Sequence, residues 1–240
     1  MDENRYTLAA LELEEFPPLQ WIVEEILPEG LAFIYGKPKA RKSWFMLSLA
    51  LNMAREERFL GAETRAGDVL YLALEDDARR MQERVRVLMN GQPFPKGVEV
   101  WHLTRDLPKL GVGLEKLLED YLNLNPLCSM IVIDTFGKIR GAKNLGNKNA
   151  YNVDVDDLSP IHDLAKRKHI AIIFVHHQRK GETEDIFDSS SGTLGITGTA
   201  DTLIVLLRNR STDLQILRIT GRDMKDDIEI GLSFEDGIWQ

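Results

Sequence analysis

Residues 36–43 read GKPKARKS, which puts a lysine–serine pair six and seven places after a glycine. That is the spacing of a phosphate-binding loop. Main-chain amides wrap the phosphates, the lysine meets the β and γ phosphates, and the hydroxyl binds Mg2+. Gly36, Lys37, Pro38, Lys39, Ala40, Arg41, Lys42, Ser43 and Trp44 are therefore the candidate nucleotide-binding residues. Arg41 departs from the pattern, because it stands where such loops carry a second glycine that lets the backbone come close to the phosphates. Its side chain could swing to solvent or add positive charge beside the ligand.

Three further groups could act on a triphosphate. The apolar run SMIVIDTF, 129–136, delivers Asp134 to the end of a strand in the manner of a Walker B carboxylate, which would hold Mg2+ together with Ser43. The run DVLYLAL, 68–74, is followed by Glu75, Asp76 and Asp77. One of the two aspartates is expected to cap the next helix. Glu75, expected on a strand beside the loop strand, is the candidate general base that orients and deprotonates an attacking water. The run IAIIFV, 170–175, ends in His176, His177 and Gln178. Histidines at the end of a core strand are costly unless something polar meets them, and His177 could donate to the γ phosphate. Zinc is the weaker reading, since neither a cysteine nor a spaced third ligand accompanies the pair.

These groups need elements that converge on one place. Short runs rich in β-branched residues, at 30–36, 68–74, 98–103, 129–136 and 170–177, alternate with helical patterns at 42–57, 77–90, 113–124 and 154–168. Nearly continuous apolar strands are buried on both faces, which predicts a mostly parallel sheet covered by helices. In the first helix Phe45, Leu49 and Met53 recur at i, i+4 and i+8, the spacing of an inward face. After residue 200, the runs TLIVLLR, LQILRIT and IEIGLSF are joined by short polar turns and predict an antiparallel extension. Segments 141–152 and 179–195 are polar and glycine-bearing, and are expected to be mobile loops of the kind that touch ligands.

Composition narrows the partners. The chain of 240 residues is 43% apolar and 28% charged, which fits one large α/β domain or two small ones, with one domain expected. Its net charge of −8 argues against a surface that clings everywhere to nucleic acid, although basic clusters at 78–86, 177–181 and 208–210 leave room for a local groove. The longest apolar runs fall far short of the ~20 residues that span a bilayer, and the start is acidic, so no membrane partner and a cytoplasmic location are expected. The single cysteine, Cys128, heads an apolar strand and is expected to pack.

The order of motifs is a phosphate loop, a glutamate ending the next strand, a Walker B aspartate and a histidine pair. It resembles the RecA-like ATPase core, and more closely the RepA family of hexameric plasmid replicative helicases and related single-domain ATPases of phages and mobile elements. YGKPKARKSW, VLYLALEDDARR, IVIDTFGKIRG, FVHHQRKG, SGTLGITGTADTLIVL and ITGRDMKDD carry the resemblance, which spans about residues 18–235. It implies an α/β, RecA-like P-loop NTPase fold with an antiparallel C-terminal extension, in one domain over 1–240 preceded by an arm at 1–18. By the same resemblance Lys42 and Ser43 serve ATP and Mg2+, Glu75 is catalytic, Asp134 binds the metal, and His177 senses the γ phosphate. It implies a hexameric ring in which an arginine reaches the neighbour's nucleotide. Arg222 stands at that finger position and Arg208 is the second choice, whereas Thr220 occupies a place that usually holds another basic residue. Single-stranded DNA would be contacted at Arg179 and Lys180, beside Phe187, with a primase or initiator protein as a further partner. The expected function is an ATP-hydrolysing motor on single-stranded DNA in replication or recombination. The alternative is an ATP-binding regulatory or adaptor protein with little turnover, which Arg41 favours.

Overall fold

Leu31, Phe33 and Tyr35 face one side of their strand and Ala32 and Ile34 the other, and all five are buried. Burial on both faces is the property expected of a central parallel strand. The computed structural model describes residues 6–102, 106–141, 150–177, 194–209, 211–235 and 237–240. In chain order the first elements are α1 (Leu8–Leu11), β1 (Trp21–Val23), β2 (Leu27–Pro28), β3 (Gly30–Gly36), α2 (Lys42–Ala54), β4 (Asp68–Ala73), α3 (Ala78–Met89) and β5 (Val98–Trp101). They are followed by α4 (Leu114–Leu124), β6 (Cys128–Asp134), α5 (Phe136–Ile139), α6 (Ala150–Lys168), β7 (Ala171–His177) and α7 (Leu194–Thr199). The chain closes with β8 (Thr202–Arg208), β9 (Gln215–Gly221), β10 (Ile228–Leu232), β11 (Phe234–Glu235) and β12 (Ile238–Trp239).

Eight strands form one sheet in the order β10-β9-β8-β3-β7-β6-β4-β5. The six from β8 to β5 are parallel, and β9 and β10 run antiparallel to them. The expected antiparallel extension is present in β8, β9 and β10, and one expectation is corrected. β8 opens that extension by pairing antiparallel to β9, and its other edge joins it to the core, parallel to β3 from Ala32↔Thr202 to Tyr35↔Val205. Glu75 does not lie on a strand beside β3, since β7 and β6 intervene between β3 and β4.

One apolar layer joins the sheet to α2, α3 and the small β11–β12 hairpin through Phe45, Leu49, Val85, Met89 and Trp239. The other joins it to α4, α5 and α6 through Leu114, Leu118, Phe136, Leu158 and Ile161. Phe45, Leu49 and Met53 are buried as their spacing predicts. Each fully buried large side chain contributes roughly 1.5–3 kcal/mol. Phe136 matters most to the site, because its ring packs at 5.2 Å against both Phe33 and Phe174 and anchors the turn directly after Asp134.

α6 begins at Ala150 and not at 154, so Tyr151 and Asn152, expected in a mobile loop, are helical. The end of the 179–195 segment likewise enters α7. In the expected N-terminal arm, α1 is a single turn capped by the Thr7 hydroxyl, with no buried residue. No helix among the described residues is long and apolar enough to cross a membrane.

Candidate functional site

The phosphate loop leaves β3 at Gly36, which pairs with His177 of β7, and enters α2 at Lys42. Gly36 has no substitute, because a Cβ there would stand 2.5 Å from the Leu206 carbonyl oxygen. Lys39 and Arg41 both take the left-handed backbone, each with φ 69°. Arg41 thus adopts the conformation its absent glycine would supply, at a cost on the order of 1–2 kcal/mol, and the path of the loop into the helix is kept. Its guanidinium neither swings free nor turns onto the lysine. Nη2 donates to Asp213 Oδ2 at 2.8 Å, and Cζ sits 4.8 Å above the Phe234 ring.

Lys42 is 4% exposed. Its Nζ donates to the Gly36 and Lys37 carbonyls at 2.7 and 3.3 Å and lies 3.4 Å from His177 Nδ1. Burial pushes the ammonium down to about 8, with Asp134 and Glu75 pulling the other way. The lysine donor makes His177 Nδ1 the acceptor, which leaves the imidazole proton on Nε2. That nitrogen lies 3.5 Å from Glu75 Oε2, so Lys42, His177 and Glu75 form one line across the cleft. The Glu75 side chain is 43% exposed and open to solvent. His176, on the opposite face of β7, packs against Tyr35 and Phe136 at 5.6 and 5.1 Å. Among the described residues no group of three histidine, cysteine or acidic side chains is placed to hold a metal.

Asp134 is 7% exposed at the end of β6. Burial raises its pKa, while hydrogen bonds from the Ser43 and Tyr71 hydroxyls oppose the rise. Tyr71 Oη donates to Asp134 Oδ2 at 2.9 Å. A hydroxyl and an oriented carboxylate side by side suit Mg2+, which is commonly held by one or two protein oxygens together with phosphates and water. The far wall is built by α3. Asp77 caps that helix, its Oδ1 accepting from Arg80 N at 2.8 Å, whereas Asp76 pairs with Arg80 and Arg84. Arg84 in turn lies 5.7 Å above the Trp44 ring.

On the other side of the loop, Arg208 at the end of β8 donates to Asp213 Oδ1 at 2.6 Å and to the Lys39 carbonyl at 3.0 Å. Together these side chains enclose a cleft of about 460 Å³ at the C-terminal ends of the parallel strands, where ligands of open α/β sheets bind. Arg208, the second choice for a residue acting on a neighbour, therefore lines its own chain's cleft. Arg222 follows β9, whose Gly221 pairs with Thr202 at the N-terminal end of β8. It bonds the Gly198 carbonyl and lies 3.9 Å from Asp201, about 20 Å along the sheet from its own loop. Arg179, Lys180 and Phe187 lie outside the described residues.

Tyr71, Asp213 and the cis placement of Arg208 escaped the sequence reading. Tyr71 looks like any core aromatic and Asp213 like any turn residue. For Arg208, the parallel pairing of β8 with β3 is the signal that would have served.

A family model described as an AAA domain matches residues 3–183. A search of curated proteins finds no match. Among solved structures, that of a DnaB-like replicative helicase, described with its interactions with primase, superposes with a TM-score of 0.65 at 14% identity. The superposition covers 88% of this chain and 57% of that one, so the chain spans little more than half the length of its structural relative. At that identity the likeness is one of fold, the RecA-like P-loop fold.

Proposed function

The chain belongs to the AAA domain family, and from that premise we propose that it is an ATP-hydrolysing motor subunit of the helicase type, acting on single-stranded DNA. One observation carries the reading. Lys42, Ser43, Asp134, His177 and Glu75, which come from four separate segments of sequence, line or border one cleft beside a phosphate loop. Lys42 exchanges its carbonyl partners for the β and γ phosphates. Ser43 and Asp134 hold Mg2+, which neutralises phosphate charge when bound. Glu75 accepts the proton of the water that attacks the γ phosphorus, the bond to the β–γ bridging oxygen breaks, and ADP and phosphate leave. His177, placed between Lys42 and Glu75, loses its partner when the γ phosphate departs, and β7 leads straight into the segment bearing Arg179 and Lys180.

A role on DNA, assembly into a hexameric ring, contact through Arg179 and Lys180, and a primase or initiator partner all rest on likeness to replicative helicases. Arg222, remote from its own cleft, is assigned to the cleft of a neighbouring subunit. The rival reading, an ATP-binding adaptor with little turnover, draws on Arg41 alone, and the left-handed backbone at that position weakens it.

The test compares ATP turnover with and without single-stranded DNA at rising salt. Stimulation that fades with salt is expected, because phosphate contacts release counterions. Turnover indifferent to DNA would favour the adaptor.

A further inference from the structure

Arg41 and Arg208 are like charges on the same wall of the cleft, and one carboxylate holds both. Asp213, in the turn between β8 and β9, gives Oδ2 to Arg41 and Oδ1 to Arg208. The two contacts bind the turn to the phosphate loop, because Arg208 also donates to the Lys39 carbonyl. Asp213 is not itself among the residues that line the cleft, and the two arginines are. Two cations against one anion leave one positive charge facing inward. A phosphate group in the cleft would complete the compensation of that charge.

The sheet order says which part of a nucleotide this wall meets. Glu75 follows β4, and Asp134 and His177 end β6 and β7, on one side of β3, whereas Arg208 and Asp213 belong to β8 and its turn, on the other. On the proposed reading of the cleft, the attacking water and the γ phosphate would occupy the first side. The guanidinium pair therefore faces the part of the phosphate chain that ATP and ADP share.

We propose that Asp213 is a positioning residue for nucleotide: it fixes Arg41 and Arg208 as a guanidinium pair whose uncompensated positive charge binds a phosphate group common to nucleoside di- and triphosphates. Arg41 then does with its side chain part of what the missing glycine allows a main-chain amide to do. This rests on the reading of the cleft as an ATP site.

The test is a double-mutant cycle read by binding of fluorescent ATP and ADP analogues, which needs no turnover. Asp213→Asn is the variant of choice, because Asp213 has φ 58° and asparagine tolerates that backbone well. It keeps the shape and removes the charge. In the parent chain it is expected to weaken both analogues about tenfold and to raise KM for ATP with kcat changed less than about twofold. In an Arg41→Gly background, the same substitution is expected to change binding by less than about twofold. Equal weakening with and without Arg41, no weakening, or weakening of the ATP analogue alone would each overturn the proposal. A parent chain that binds neither analogue would instead remove the ATP reading, a separate result. Thermal melts of all four chains check folding, and should Asp213→Asn melt early, Asp213→Ala with an intact melt supplies the same comparison.

Discussion

Tyr71 reaches the Asp134 carboxylate from the adjacent strand, and its oxygen is one of two side-chain donors that keep a buried acid usable as a metal ligand. Hydrogen bonds to charged groups contribute about 1.5–3 kcal/mol. Tyr71→Phe keeps the ring in the core and removes only that oxygen, so turnover is expected to fall about tenfold or more, with ATP binding in the absence of Mg2+ unchanged. Steady-state hydrolysis alongside analogue binding reads both quantities, and an unaltered kcat would remove Tyr71 from the account. Residues acting through short-range spacing, such as Lys42 and Ser43, were legible because six or seven positions of sequence define them. Tyr71 and Asp134 stand 63 positions apart, and Arg41 and Asp213 stand 172 apart. Nothing local marks such pairs, since their meaning arises only when strands settle side by side.

Among the elements, β3 and β7 were readable nearly to the residue because runs buried on both faces leave no polar alternation to misread. The neighbour order was not readable, so Glu75 was set two strands too close to the loop and the parallel seam of β8 with β3 went unseen. Strand composition encodes burial and carries almost nothing about which strand lies alongside. α6 is fastened to the opposite end of the sheet by a similar long-range contact, in which His162 Nε2 lies 3.1 Å from Asp201 Oδ1. That bond raises the pKa of His162 against the effect of burial, with Asp163 assisting and Lys166 opposing. Burial alone would lift Asp201, but the bonds from His162 and from Leu31 N–H hold it low. A histidine raised in the folded state stabilises fully below its unfolded value, and the contribution is lost as pH climbs through the folded value. His162→Gln should therefore cost about 1 kcal/mol near pH 5.5, with a smaller deficit near pH 8.5. Urea titrations at the two pH values check this, and a deficit that grows with pH would contradict the ion pair.

For the whole molecule, the decisive relation is between the phosphate loop at one end of the sheet and Arg222 at the other. Arg222→Ala is expected to lower turnover at least about a thousandfold with ATP binding retained, as loss of a trans arginine does. Lys42→Ala should be equally inactive. Mixing the two inactive chains should restore part of the turnover, because an intact loop on one chain then meets an intact arginine on the next, and a mixture no better than its components would place the arginine in cis. The same separation limits the symmetry of the proposed assembly. A contact between one end of a chain and the opposite end of its neighbour uses two different surfaces and is heterologous, so an isologous two-fold dimer cannot make it. Repeated around a common axis it returns on itself as a closed cycle, and with any pitch it continues as an open filament in which the terminal cleft goes without its arginine.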